Sequence, residues 1–149
     1  MADIKNQAYV AIATCLTTEL NALATGSAGA AGPAQGADAT AAEMLLDFEL
    51  LTGGSVTPGT NPRADLYLIR SADGTNYEDA TTGASESLPP DALVGSFVPT
   101  TGAGTKRMIL RDVPCPPGLW KAILQNEIGV SLAATGNTLR YRRHSYQSV

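Results

Sequence analysis

From residue 42 onward, hydrophobic and polar residues alternate in short segments with the period of two that is typical of β-strands. The clearest example is AEMLLDFELL, residues 42–51. Its apolar face carries Met44, Leu46, Phe48 and Leu50. Asp47 and Glu49 point the other way, so the pattern predicts a strand with one buried face and one face in water.

Further strand patterns follow along the chain, separated by turn signals. They cover residues 64–70, 93–100, 105–113, 119–126, 130–134 and 138–149. The segment 64–70 is apolar on both faces, which is typical of a central strand. Asp73-Gly74, the proline-rich segment 114–118 and Gly136-Asn137 predict turns or corners. Because no helical pattern alternates with these strands, the sequence predicts an all-β fold. We expect a β-sandwich, with a jelly roll as the specific type considered.

Two of these segments predict which side chains face the core. In 105–113, Met108 and Leu110 alternate with Arg107, Ile109 and Arg111. In 119–126, one face carries Trp120, Ala122 and Leu124. Large apolar side chains gain most from leaving water, so we expect these faces to lie against the core.

The N-terminal part of the chain differs from the rest. Apolar residues recur every three to four positions at Val10, Ile12, Leu16, Leu20 and Leu23. This spacing predicts a short helix from Thr17 to Ala24 that ends at Gly26, although β-branched threonines weaken helices.

The following segment, residues 26–42, consists almost wholly of Gly, Ala, Ser and Pro. Such a segment buries too little apolar area to offset the entropy lost when it becomes ordered. It predicts a flexible linker, or an arm that orders against a neighbouring subunit; a plain loop is the alternative. The sequence therefore predicts an N-terminal helix and Gly/Ala-rich arm over 1–42 and a β-sandwich domain over 43–149.

Composition alone favours a plain small protein rich in Ala, Thr and Gly; a surface partly covered by partners is the alternative that the low charge also suits. The chain has 149 residues, the size of one domain, and only 16% of them are charged. Its net charge of −4 argues against binding nucleic acid over a broad basic face. No export signal and no membrane-spanning segment are expected, because no apolar run is long enough.

The two cysteines, Cys15 and Cys115, lie far apart in the sequence and outside any CxxC pattern. A zinc site of the usual structural kind needs paired ligands at short spacing. We therefore expect two reduced, partly buried thiols, as in a protein assembled in a reducing cytoplasm; a disulfide between them is the alternative.

No set of residues predicts catalysis or metal binding. The single histidine, His144, lies between arginines and is expected to be solvated. Asp47 and Glu49 resemble a glycosidase pair in type, but alternating acids usually solvate the outer face of a strand. The segment DGTNYED offers oxygen ligands for calcium from Asp73, Asn76, Glu78 and Asp79. It lacks the spacing of a calcium loop and predicts a polar hairpin tip. From these three groups of residues together, we expect no enzyme activity, no cofactor and no metal.

The C-terminal segment TLRYRRHSYQSV combines Arg140, Arg142 and Arg143 with Tyr141 and Tyr146. As a closing strand, it would point Leu139 and Tyr141 inward and Arg140 and Arg142 outward. Solvation of an edge strand is the first interpretation, a protein interface the second, and contact with nucleic acid the third.

From residue 64 on, the ordered motifs resemble a known group of proteins. These motifs are ADLYLIRSADGTNYED, LPPDALVGSF, KRMILRDVPCPPG and LWKAILQNEIGVSLAATGNTLRYR. In this order they resemble a family of small structural proteins of tailed bacteriophages. The more specific parts are the hairpin LYLIRS-DGTNYED and the ending N-x-x-G-x-x-x-A-A-x-G-N-T-L. The upstream TTELNALATGSA resembles the short leading helix of that family.

The resemblance implies a non-catalytic β-sandwich that coats or completes a virion, such as a capsid decoration (cement) protein. Its implied partners are the major capsid protein or other virion proteins, with further copies of itself in a homo-oligomer. Its implied location is the virion, assembled in the host cytoplasm, with no nucleic acid or membrane bound. We further expect residues 1–42 to contact other subunits more than their own domain, so that a chain without them still folds.

Three alternatives remain open at this point. One is a tail, neck or fibre-associated virion component. Another is a carbohydrate-binding module on the virion surface, which would display exposed aromatic side chains. The third is a hydrolase on the same fold, which would need clustered acids or histidine in a cleft.

Overall fold

The computed structural model describes residues 4–6, 11–36, 45–78 and 88–148. Two single 3₁₀ turns, Thr18–Leu20 and Pro90–Ala92, accompany the strands. The strands are β1 (Ile4–Asn6), β2 (Ala13–Leu16), β3 (Ser27–Ala28), β4 (Gln35–Gly36), β5 (Leu45–Leu51), β6 (Arg63–Ser71), β7 (Leu93–Phe97), β8 (Arg107–Pro114), β9 (Leu119–Glu127), β10 (Thr138–His144) and β11 (Tyr146–Ser148).

The strands form two main antiparallel sheets. One has four strands in the order β2-β10-β5-β8. The other has β9, β6 and β7 side by side, with the short strands β3 and β4 both paired to β9. Strands β1 and β11 form a separate two-stranded sheet. The predicted all-β, sandwich-like fold is confirmed, and the described residues include no α-helix.

The pairs of strands are nested in sequence. Strand β6 pairs with β7, β5 with β8, β3 and β4 with β9, and β2 with β10. Each pair therefore encloses the one before it, as in a long hairpin whose closed end is at β6 and β7. Two further pairs, β10 with β5 and β9 with β6, join alternate pairs of this series into the two sheets.

The main core lies between the two sheets and is centred on aromatic side chains. The ring of Trp120 in one sheet lies 6.1 Å from that of Phe48 and 5.1 Å from that of Tyr141 in the other, both edge to face. Leu46, Phe48 and Leu50 are fully buried, which confirms the predicted face of β5, while Met44 lies outside the described residues. The predicted face of β9 is also confirmed, since Trp120, Ala122 and Leu124 are all fully buried.

A second, smaller core covers the outer face of the five-stranded sheet. Ile69 of β6 and Ile123 of β9 are fully buried there against Ala28 and Ala92. Strand β6 is thus covered on both faces and has a neighbour on each side, β9 and β7. The prediction that residues 64–70 form a central strand is confirmed.

The predicted helix over 17–24 is wrong. Residues 13–16 form β2 instead, and only Thr18–Leu20 turns, as a single 3₁₀ turn. The chain is extended again at Asn21, and Ala22 has a φ of +54°. The helical preference of this threonine-rich segment is weak, and its backbone bonds to distant residues instead, with the Ala22 N–H donating to Ala133 and the Leu23 carbonyl accepting from Asn126.

The flexible linker or arm predicted for 26–42 is wrong for residues 26–36. These residues form β3 and β4, and the N–H groups of Gly29 and Gly32 donate to carbonyl groups of β9. A Cβ atom on Gly32 would lie 2.3 Å from the carbonyl oxygen of Cys15. The small residues therefore allow a close approach to neighbouring backbone, and residues 37–42 lie outside the described residues.

Residues 13–28 contribute to the main core rather than standing apart from it. Cys15, Leu16, Leu20 and Leu23 are buried in the same cluster as the sandwich strands. These residues therefore pack within their own domain, while the expectation that residues 1–42 contact other subunits more than their own domain stays a prediction. The division into 1–42 and 43–149 as separate units stays a prediction.

The strand predicted for residues 130–134 is wrong. This segment is an irregular loop that bonds to the backbone of the N-terminal segment, through Ala22 N–H to Ala133 and Leu132 N–H to Leu23, and to buried side chains. The amide of Asn126 donates to the carbonyl groups of Leu23 and Val130, each at 2.9 Å. Asn126 is fully buried and in turn accepts from the N–H of Ile128 at 3.0 Å.

A second buried asparagine, Asn137, joins three segments. Its amide nitrogen donates to the carbonyl groups of Leu20 at 3.3 Å and Ala133 at 2.7 Å. Its oxygen accepts from the N–H of Gly53 at 2.9 Å. Both asparagines belong to the N-x-x-G-x-x-x-A-A-x-G-N-T-L motif, so its polar positions serve to hold the N-terminal segment against the sandwich.

We predict that Leu16→Ala destabilises the protein strongly. Leu16 is 1% exposed, and a buried Leu→Ala substitution costs about 2–5 kcal/mol through lost burial and a cavity. Ile12→Ala is the control, because Ile12 lies in the same segment but is 51% exposed. Urea unfolding measures both variants. Equal, small effects would mean that this segment is not part of the core.

We also predict that Asn137→Ala lowers the free energy of unfolding by about 1–3 kcal/mol for each buried backbone group that it leaves without a hydrogen bond. The exposed Thr135 in the same loop provides the control variant Thr135→Ala. Thermal unfolding compares the two. A loss of stability no larger than that of the control would show that water replaces the Asn137 contacts.

Candidate functional site

The outer face of the four-stranded sheet carries paired charges. Arg140 of β10 lies opposite Glu49 of β5, and its guanidinium donates to that carboxylate. Arg107 of β8 lies 3.5 Å from the other oxygen of Glu49. The predicted direction of β10 is confirmed, because Leu139 and Tyr141 are buried. Its predicted position at an edge is wrong, because β10 lies between β2 and β5.

A β-bulge interrupts the pairing of β5 with β8. Leu46 pairs with Val113 but Phe48 pairs with Leu110, so Asp47 faces two residues of β8. One of them, Asp112, has a φ of +56° and donates its backbone N–H to Oδ1 of Asp47 at 3.1 Å. Because of the extra residue, Val113 points into the core and the Asp112 carboxylate comes close to Asp47.

His144 lies beside these two aspartates. Its side chain is only 6% exposed, so the prediction of a solvated histidine is wrong. Its Nε2 atom lies 3.0 Å from Oδ1 of Asp112, and its Nδ1 atom lies 3.7 Å from Oδ2 of Asp47. One ligand atom from each of the three residues lies within 4.8 Å of the others. We call His144, Asp47 and Asp112 the histidine–aspartate cluster.

This cluster has the donor chemistry of either an ion pair or a metal site. A protonated imidazole can bind two carboxylates, and a neutral one can bind a cation together with them. Among the residues that the structure describes, it is the one group of three or more His, Cys, Asp or Glu side chains with such close ligand atoms. Sequence reasoning considered His144 and Asp47 separately and did not single out Asp112.

The oxygen ligands considered for calcium do not converge in this way. Asp73 binds its own loop, accepting from the N–H groups of Thr75 at 2.8 Å and Asn76 at 2.7 Å. Glu78 accepts from the N–H of Arg70 at 3.1 Å. Asp79 lies outside the described residues. The polar turn predicted here is confirmed, with Gly74 at a φ of +78°.

The two cysteines are not joined by a disulfide, which confirms the prediction of free thiols. Burial raises the pKa of the Cys15 thiol to about 12, and the thiol donates to the carbonyl of Leu139 at 3.3 Å. Burial also raises the pKa of the half-buried Cys115, while the nearby positive charge of Arg143 lowers it. Burial therefore favours the neutral form of both thiols.

A shallow groove of about 260 Å³ lies where β8 meets the segment that follows β7. Two exposed apolar side chains line it, Val98 at 68% and Ile109 at 52%. Lys106 lines the groove from one end, where its ammonium donates to the carbonyl of Gly102 at 2.7 Å. This groove and the histidine–aspartate cluster are two candidate sites in the described part of the chain.

Comparison with models of protein families, with curated proteins and with solved structures found no match for this chain. Across the described ranges, no helix combines the length and the hydropathy needed to cross a membrane. Candidate functions therefore depend on the geometry of the chain itself.

We predict that the loop of Asp73 loosens in acid. Hydrogen bonds from Asn76 and Thr75 hold the pKa of the Asp73 carboxyl well below its ordinary value of 3.8. A carboxyl with a lowered pKa contributes stability above its unfolded-state value, and this is lost as the pH falls through its folded-state value. Amide shifts of Thr75 and Asn76 should thus stay constant through the pH range near about 4 in which an ordinary aspartate titrates, and change only in stronger acid.

The matched variant is Asp73→Asn, which keeps an acceptor oxygen but removes the charge. Its Thr75 and Asn76 shifts should no longer depend on pH in this range. If wild type and variant respond to acid alike, Asp73 does not hold the loop.

Proposed function

We propose that the chain is a non-catalytic structural protein of a bacteriophage virion, and that it decorates the assembled capsid shell. Its partners are then the major capsid protein and further copies of itself, and its location is the virion. The structural observation that supports the proposal, together with the resemblance of the sequence motifs, is the nested pairing of the strands in two facing sheets.

Nested pairing supports the finer assignment to the jelly-roll type. Strands β3 and β4 both pair with β9 and can be taken as one interrupted strand. The strands from β2 to β10 then form four pairs, each enclosing the one before it, as in a rolled hairpin. A jelly roll consists of two packed sheets of this kind and recurs in viral capsid proteins and lectins. The likeness is one of architecture, so it supports a shell protein only together with the resemblance of the sequence motifs.

The exposed surface supports a role in association. The groove at β8 displays Val98 and Ile109 beside polar residues, as in the partly apolar patches of protein interfaces. Only 16% of all residues are charged, which lowers the cost of removing water from a contact. A shell repeats one contact many times, so a weak interface of this size can hold a decoration protein by multivalency.

The burial of the aromatic residues argues against a carbohydrate-binding module, because such a module usually presents exposed aromatic side chains to its ligand. Phe48, Phe97, Trp120 and Tyr141 are buried. Tyr67 and Tyr77 are half-buried, and Tyr77 lies under the ammonium of Lys121 at 4.2 Å. Among residues with described side chains, none offers an exposed aromatic platform.

A tail, neck or fibre component is the second candidate, since such a protein uses the same kind of rigid face.

We predict that particles released by cells carrying this gene contain the chain in copy number comparable with that of the major capsid protein. Quantitative mass spectrometry of purified particles measures the ratio. A copy number far below that of the shell protein would favour a neck, vertex or tip. Absence of the chain from the particles would contradict the proposed function.

We further predict that the double variant Val98→Ser/Ile109→Ser folds normally but decorates shells poorly. Both side chains are exposed, so the substitutions remove contact area without opening the core. The control is Ile12→Ser, because Ile12 is equally exposed but precedes β2, at the other edge of the same sheet. Cosedimentation with undecorated shells compares the three proteins. Equal binding by all three would show that the groove is not the contact.

A further inference from the structure

Three side chains from three adjacent strands converge at the histidine–aspartate cluster, and their pairing explains why. Strand β10 provides His144, β5 provides Asp47, and the bulge of β8 provides Asp112. Oδ1 of Asp47 is held by the backbone N–H of Asp112, which leaves Oδ2 facing the imidazole. The Asp47 carboxylate is thus held by a hydrogen bond beside a buried imidazole, as is common for carboxylates that ligate a metal.

We propose that the histidine–aspartate cluster binds one divalent transition-metal ion of the zinc class. His144 supplies one ring nitrogen, Asp47 and Asp112 supply one oxygen each, and a fourth position remains for water or a further ligand. The ion joins β5, β8 and β10 on the outer face of the sheet. This inference does not depend on the proposed role in a virion.

One ligand atom from each of the three side chains lies within 4.8 Å of the others, so the side chains must turn and close further to hold zinc. Ligand bonds of 2.0–2.2 Å place neighbouring ligand atoms of tetrahedral zinc about 3.4 Å apart. The separations of 3.0 Å from Nε2 to Asp112 and 3.7 Å from Nδ1 to Asp47 lie on either side of that value. They involve different ring nitrogens, and a neutral imidazole has one lone pair, so the ring or one carboxylate turns when the ion binds.

The donor set and the surrounding charge select the kind of ion. Calcium and magnesium prefer sites made of oxygen alone, whereas an imidazole with carboxylates suits zinc and its neighbours in the first transition series. Two carboxylates also balance the charge of a divalent cation. Arg142 lies opposite Asp47 in the strand register, and its positive charge opposes binding. We therefore expect a site of moderate affinity.

The chain has a single histidine, which makes the test unambiguous. Full-length, ¹⁵N-labelled protein without a histidine tag is stripped of metal, and the ring nitrogens of His144 are followed by NMR as zinc is added. We expect one ring nitrogen to shift to a metal-bound value at one equivalent of zinc, and EDTA to reverse it. Calcium at the same concentration should leave the ring unchanged. Unchanged ring signals in excess zinc would overturn the proposal.

Variants then locate the carboxylate ligands. Asp47→Asn and Asp112→Asn should each lower zinc affinity at least about tenfold by calorimetry. The matched control is Glu49→Gln, which removes the same charge from the same face of β5 but pairs with arginines outside the cluster. Equal zinc affinity in all three variants would also overturn the proposal. If a variant does not fold, the NMR signals of the His144 ring in the wild-type protein still test the proposal.

Discussion

The pairing of strands that are distant in sequence is the constraint on which the other features depend. The pairs of β5 with β8 and with β10 place Phe48 and Tyr141 in one sheet, facing Trp120 of the other. The same two pairs also bring Asp47, Asp112 and His144 together on the opposite face. One set of backbone hydrogen bonds thus determines both the core and the candidate metal site, because successive side chains of a strand point to opposite faces.

Buried polar groups complete the fold where regular pairing ends. Asn126 and Asn137 satisfy carbonyl groups of the irregular loop after β9 and of the segment before β3. Without such partners, the buried backbone groups would each cost free energy. The N-terminal segment therefore belongs to the domain through both apolar and polar contacts, and the motif that contains the asparagines is explained by packing and hydrogen bonding.

Alternation of side chains predicted the faces of β5, β9 and β10 from sequence, because regular strands keep a period of two. It did not predict Asp112, since a bulge changes the period by one residue and leaves no sequence signal of its own. His144 was expected to be solvated because its sequence neighbours are arginines, yet its spatial neighbours come from other strands. The Gly/Ala segment suggested flexibility, whereas Gly29 and Gly32 provide close approach to neighbouring backbone. Local composition cannot show which distant strand lies nearby.

The nested strands also impose an order on biosynthesis. The thiol of Cys15 bonds to the carbonyl of Leu139, 124 positions later, so β2 emerges from the ribosome long before its partner. Folds dominated by such distant contacts form slowly, in milliseconds to seconds. Until β10 has been made, β2 and β5 present unpaired backbone to other chains, which favours aggregation. Yield in a heterologous host should therefore depend on growth temperature and on chaperones that shield nascent chains.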